Sequence, residues 1–249
     1  MAERGRAGKG KRTFAEAGSP QGGSASPLLA NIYLHYVFDL WVQAWRKKCA
    51  HGDVIVVRYA DDIVVGFEYK DEAERFWSEL KERMEKFQLE LHPEKTRLIE
   101  FGRHAAANRK CAGQDKPETF DFLGFKHICG KTKKGRFMVL RQTIRKRMQA
   151  ALQRVKIELR RRMHDPVPEV GKWLKSVVGG YFRYFGVPGN RYALAHFRFT
   201  VSRLWHHALE RRSQKGRVQW ERMQRLTRRW LPPAHICHPY PSRRLRVTT

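Results

Sequence analysis

The stretch VIVVRYADDIVVGF, Val54 to Phe67, decides how this chain is read. Four apolar residues lead in, two adjacent aspartates (Asp61 and Asp62) stand near the middle, and apolar residues lead out again. β-Branched runs on either side of a short polar break predict an antiparallel hairpin. Neighbouring carboxylates repel each other, and burying either one uncompensated is costly. Two readings fit. In one, the pair fills a solvent-exposed turn, a position that Asp favours. In the other it holds a divalent cation, since Mg²⁺ takes one or two carboxylates together with substrate phosphates. Two such ions about 3.5–4 Å apart serve both the attacking and the leaving oxygen in nucleotidyl transfer.

Working outward, Ser26 to Trp45 has helical periodicity, with Leu29, Ile32, Tyr33, Tyr36, Val37, Leu40 and Trp41 at three- and four-residue steps. Asp71 to Phe87 is a second amphipathic helix, its stripe made of Ala73, Phe76, Trp77, Leu80, Met84 and Phe87. LELHPEKTRLIEF (89–101) reads as a strand interrupted by a turn at Pro93. FDFLGFKHI (120–128) reads as one aromatic strand, with Gly124 allowing a kink. Past Arg141 the pattern becomes helical, over about 141–164, 170–185, 191–212 and 217–231, with Pro166, Pro168, Pro188, Gly189, Pro232 and Pro233 as breaks. In the first of these helices Ile144, Met148, Leu152, Val155 and Leu159 form an apolar stripe. The expected class is α+β: a mixed portion over 19–138, then an all-helical one over 139–249. Residues 1–18, Gly- and Lys/Arg-rich without apolar periodicity, are expected to be a disordered basic leader.

Charge narrows the partner. The 249 residues hold 51 Lys and Arg against 24 Asp and Glu, a formal charge of +27. Residues 141–249 contain 26 of those cations and only 5 of the acids. Such a surplus points to a polyanion: nucleic acid first, an anionic membrane surface second. No run of 18 apolar residues spans a bilayer, and the basic N-terminus lacks the apolar core of a secretory signal. Cys49, Cys111, Cys129 and Cys237 are scattered, which suits a reducing, cytoplasmic setting. His235, Cys237 and His238 lie close together, but without a second cluster they make a weak case for a metal site.

The hairpin has companions in chain order. SPQGGSASPLLANIYL (19–34) precedes it; LHPEKTRLIEF and FDFLGF follow it; VVGGYFRYFG (177–186) comes later. This series resembles the group II intron-encoded reverse transcriptases, or intron maturases. The resemblance implies a partial reverse-transcriptase palm followed by an all-α thumb and maturase region. It implies RNA-directed DNA synthesis and intron splicing and mobility, with Mg²⁺ as cofactor. The implied partners are group II intron RNA, an RNA template with DNA primer, and deoxynucleotides. By position, Asp61 and Asp62 match the catalytic, metal-binding pair, with Tyr59 and Ala60 beside the primer end. Gln21, Gly22 and Gly23 match the motif touching template and incoming nucleotide, and Lys95 a lysine assisting pyrophosphate departure. Phe122, Leu123, Gly124 and Phe125 match the primer grip, although a plain core strand would look the same. In the basic portion Arg160, Arg161, Arg162, Arg228 and Arg229 are candidate phosphate contacts, or else a solvated face. Tyr181, Arg183 and Tyr184 are candidate RNA contacts by base stacking, while Phe182 and Phe185 read as core.

One part of the family pattern is missing. The family carries a further catalytic aspartate in a strand-to-helix motif before the Q-G-G segment, and here only Glu3 and Glu16 are acidic before Ser19. Asp39 stands in the helical pattern that follows and is not expected to replace it. The expectation is a truncated member, catalytically incomplete alone, that an N-terminal fragment could complement. A non-catalytic RNA-binding splicing factor that uses only the basic helices is the alternative.

Overall fold

A computed structural model describes residues 6–8, 11–13, 26–132, 134–212 and 217–240. The chain divides into two compact units, Met1–Ile99 and Glu100–Thr249. The α+β class holds: small antiparallel sheets and helices come first, then a run of helices alone.

In the first unit, β1 (Arg6–Gly8) pairs antiparallel with β2 (Lys11–Thr13), inside the segment expected to be a disordered leader. Three-residue ladders carry no periodicity that a sequence pattern can reveal. Helix α1 (Ser26–Leu34) continues through a π-helical turn, His35–Asp39, into α2 (Leu40–Lys48). The Leu40 N–H reaches back five residues to the His35 carbonyl, and the wider turn rotates everything beyond it. The buried residues are therefore Val37, Phe38, Val42 and Trp45. Leu29, Ile32, Tyr33, Tyr36 and Leu40 of the expected stripe stay exposed.

Strands β3 (Val54–Tyr59) and β4 (Asp62–Phe67) form the expected hairpin, registered Val54 to Phe67 and Tyr59 to Asp62. Helix α3 (Lys70–Lys86) buries Ala73, Phe76, Leu80 and Met84, as its period requires. Phe76 and Met84 join Val37, Phe38, Val42, Trp45 and Val54 in one apolar core. The Trp45 ring stands edge-on to Phe67 and Phe76 and donates its N–H to Glu79 Oε2 at 2.7 Å. Residues 89–101 make the expected turn after His92 but no strand.

The second unit opens with a short helix, α4 (Ala105–Cys111), that the sequence pattern did not suggest. A three-stranded meander follows: β5 (Phe120–Phe122), β6 (Phe125–Lys131) and β7 (Phe137–Thr143). Then come α5 (Arg145–Arg161), α6 (Val167–Phe185), α7 (Arg191–Glu210) and α8 (Trp220–Trp230). Their core includes Val155, Leu159, Leu174, Phe182, Phe197, Trp205 and Met223, with Met148 and Leu152 packed against it. The division between units falls before the composition shift at 138/139, because the meander packs on the end of α6. Phe125 lies 5.3 Å from Phe185 and stacks on Tyr184, and Asn190 grips Thr143.

Candidate active site

Asp61 and Asp62 occupy the tip of the β3–β4 hairpin, both exposed. Tyr59 faces Asp62 across the ladder, leaving Ala60 and Asp61 as a two-residue loop with Ala60 at φ 55°. Such short loops need a left-handed residue to match strand twist, and Ala adopts that conformation at a cost.

Arg58 holds the loop in place. Its Nε and Nη2 donate to the two carboxylate oxygens of Asp39, at 2.8 and 2.6 Å. Its Nη1 donates to Asn31 Oδ1 at 2.8 Å and to the Ala60 carbonyl at 3.0 Å. One guanidinium thus ties α1, the π-helical turn and the aspartate loop together, using the planar fork that only Arg offers. The Arg58 hydrogen bond holds the Asp39 carboxyl below its ordinary value, against an opposing effect of desolvation. Asp39 is thereby committed to Arg58 and not to the aspartate pair. Sequence reading missed this clamp, although two signals were present: Arg58 is the sole charge on the leading strand, and Asn31 closes the S-P-L-L-A-N run.

The pair fits part of a Mg²⁺ site. Two exposed carboxylates at a loop suit one ion that takes its remaining oxygens from water and substrate. Among the described residues no third His, Cys, Asp or Glu joins them to complete a metal cluster. Lys95 is exposed in the turn after His92, and no hydrogen bond or ion pair of the described residues joins it to either aspartate. Gln21, Gly22 and Gly23 lie outside the described residues.

In the second unit, the segment expected as one kinked strand is a tight hairpin. Phe122 pairs with Phe125, so Leu123 and Gly124 form a two-residue loop with φ of 47° and 79°. Positive φ at both positions is what a type I′ turn requires, and it is unusual for Leu. The end of α6 and the residue before α5 secure it. Tyr184 donates its hydroxyl to the Leu123 carbonyl at 3.0 Å, and the Ile144 N–H donates to the Gly124 carbonyl at 3.1 Å. A Cβ on Gly124 would lie 3.5 Å from the Phe185 ring.

That geometry redistributes the candidate RNA contacts. Tyr181 is buried, stacked face to face on Phe197 at 3.6 Å, and burial pushes its phenol up to about 12. Its ring is occupied in the core and not open to a base. Phe182 is fully buried and Phe185 partly so, as read from the sequence. Arg183 and Tyr184 are exposed, but Tyr184 spends its hydroxyl on Leu123. Arg160, Arg228 and Arg229 are exposed, and Arg229 lies over the Trp230 ring. Arg161 is exposed with a loose pair to Glu158, whereas Arg162 is held by Glu158 at 2.7 Å and over Trp173.

Residues 4–127 match a class of nucleic-acid-directed polymerases. The matching family is reverse transcriptase (RNA-dependent DNA polymerase), to which this part of the chain is similar. No curated protein matches the chain. Among the described residues no helix is long and apolar enough to cross a membrane.

Proposed function

We propose that the protein is a reverse transcriptase of the group II intron-encoded, maturase type. In this reading Asp61 and Asp62 hold Mg²⁺ at the growing primer end, and the basic helices bind intron RNA. The observation that carries the reading is the exposed aspartate loop, fixed on α1 and the π-helical turn by Arg58. The maturase type is supported by the Y-F-R-Y-F end of α6, which anchors the Leu123–Gly124 turn through Tyr184 and Phe185. When bound, Mg²⁺ lowers the cost of charge developing on the reacting oxygens. The chain's own part is positioning. Arg58 keeps the loop carbonyl and both aspartates in one geometry, Tyr59 stands beside them, and the Phe122–Phe125 turn offers a rigid edge for the primer strand.

The test is RNA-templated primer extension with Mg²⁺, run beside Mn²⁺ binding followed by electron paramagnetic resonance. Asp61→Asn is expected to abolish any extension and to weaken Mn²⁺ binding roughly tenfold or more. Extension that survives Asp61→Asn would overturn the assignment. A second reading, an RNA-binding splicing factor without catalysis, is favoured by the lack of a third metal-binding side chain among the described residues. It requires selective binding of intron RNA with no extension and no Mn²⁺ binding at the loop.

A further inference from the structure

At the far end of the β6–β7 ladder from the Leu123–Gly124 turn, Lys131, Lys134 and Arg136 crowd a tight connection. Backbone bonds join its described residues: the Thr132 N–H donates to the Arg136 carbonyl at 2.8 Å, and the Gly135 N–H to the Thr132 carbonyl at 2.9 Å. Beside it a cleft of about 680 Å³ opens against the Gly102–Ala106 segment. Arg103, Lys131 and Arg136 line the cleft, and no carboxylate does. All four cations are exposed, and among the described residues no ion pair engages any of them. Like charges fixed on ordered backbone repel one another, and an anion relieves the repulsion.

The spacing suggests which anion. Strand β6 is seven residues long, and at about 3.3 Å per residue the cleft stands roughly 20 Å along the ladder from the turn. A nucleic-acid strand advances about 3.4 Å per nucleotide, so that distance is about six steps. We propose that this cleft binds the phosphate backbone of the primer–template duplex about six steps behind the primer end. The proposal rests on the assignment of the Phe122–Phe125 turn to the primer end. A membrane is the other large polyanion, but a concave cleft beside a projecting hairpin suits a backbone better than a plane.

The experiment compares the full chain with a Lys131→Gln, Lys134→Gln, Arg136→Gln variant. Binding is read by fluorescence anisotropy over a salt series. Two stem-loops with the same recessed 3′ end serve as probes, with stems of about four and about twelve pairs, bracketing the expected reach. On the long stem, the slope of log affinity against log salt should fall by about 2.7, for three phosphate contacts at about 0.9 each. On the short stem the two proteins should match. Equal losses on both stems, or no loss on the long one, overturn the proposal. Loss of binding to phosphatidylserine vesicles with duplex binding intact would also overturn it, in favour of a membrane surface. Because the substituted side chains are exposed, both proteins should melt together. The turn assignment is judged separately: a wild-type chain that binds recessed and blunt stems equally counts against it, whatever the variant does.

Discussion

Arg58 is the residue on which the aspartate loop depends, because each of its three partners belongs to a different part of the chain. Its side chain is 15% exposed and that of Asp39 31%, so the pair is shielded from water more than a surface ion pair but is not deeply buried. Charge-assisted hydrogen bonds contribute about 1.5–3 kcal/mol each at most, and truncating one partner also strands the other. Arg58→Ala is therefore expected to destabilise the first unit by about 2–4 kcal/mol in urea unfolding. Arg58→Lys should recover only part of this, since an ammonium cannot reach both Asp39 oxygens and the Ala60 carbonyl at once. The pH dependence has a definite sign. Asp39 has a folded value below its ordinary 3.8, so its contribution is complete above that value and is lost as pH falls through the folded one. Stability measured from pH 6 down to pH 2 (about the range over which a carboxylate titrates) should fall more steeply in the wild type than in Asp39→Asn. Parallel curves would remove Asp39 as the source.

Among the elements, the junction of β7, α6 and α7 is held by one buried amide. Asn190 accepts from the Thr143 N–H at 3.0 Å, and its Nδ2 donates to Thr143 Oγ1 at 2.7 Å and to the Phe185 carbonyl at 2.8 Å. Asn190→Ala removes three hydrogen bonds and takes the partner from the Thr143 N–H, although the Phe185 carbonyl still accepts from the Val187 N–H; it should cost about 2–4 kcal/mol. For a unit of this size, that lowers the melting temperature by roughly 5–15 °C in calorimetry. Asn190→Asp should do no better, because a carboxylate cannot donate to either oxygen. This junction also marks where sequence reading stops. Helices α5 to α8 were legible because proline breaks and 3.6-residue stripes agree with their packing. The β3–β4 hairpin was legible because β-branched runs flank a polar pair. The π-helical turn was not, because one extra residue per turn leaves no mark on composition. Nor was the Leu123–Gly124 loop, because a Leu at positive φ is sustained by Tyr184, sixty-one residues away in sequence. Asp39, Asn31 and Arg58 each look ordinary alone, and only the folded contact gives them a shared role.

For the whole molecule, the uneven charge sets how it meets RNA. The helical portion holds about half of the cations and a fifth of the acids, and its apolar stripes are already used in a continuous core. What remains for a partner is a strongly basic surface with scattered exposed side chains such as Ile157, Tyr192 and Phe199, so affinity should come mainly from phosphate contacts and the release of condensed counterions. With about 6–10 such contacts, filter binding to structured RNA should weaken by about 10³–10⁵ between 50 and 200 mM salt. The helical arginines do not contribute equally. Arg162 is spent on Glu158 and Trp173, whereas Arg160, Arg161, Arg228 and Arg229 are exposed. Replacing these four with Gln should lower the salt slope by about 3.6, at about 0.9 per contact, and leave the melting temperature unchanged. Arg162→Gln should do the reverse, with a small loss of thermal stability and almost no change in slope. An unchanged slope in the fourfold variant would mean that those arginines form a solvated face, and the RNA surface would then have to be sought on the remaining cations of the chain.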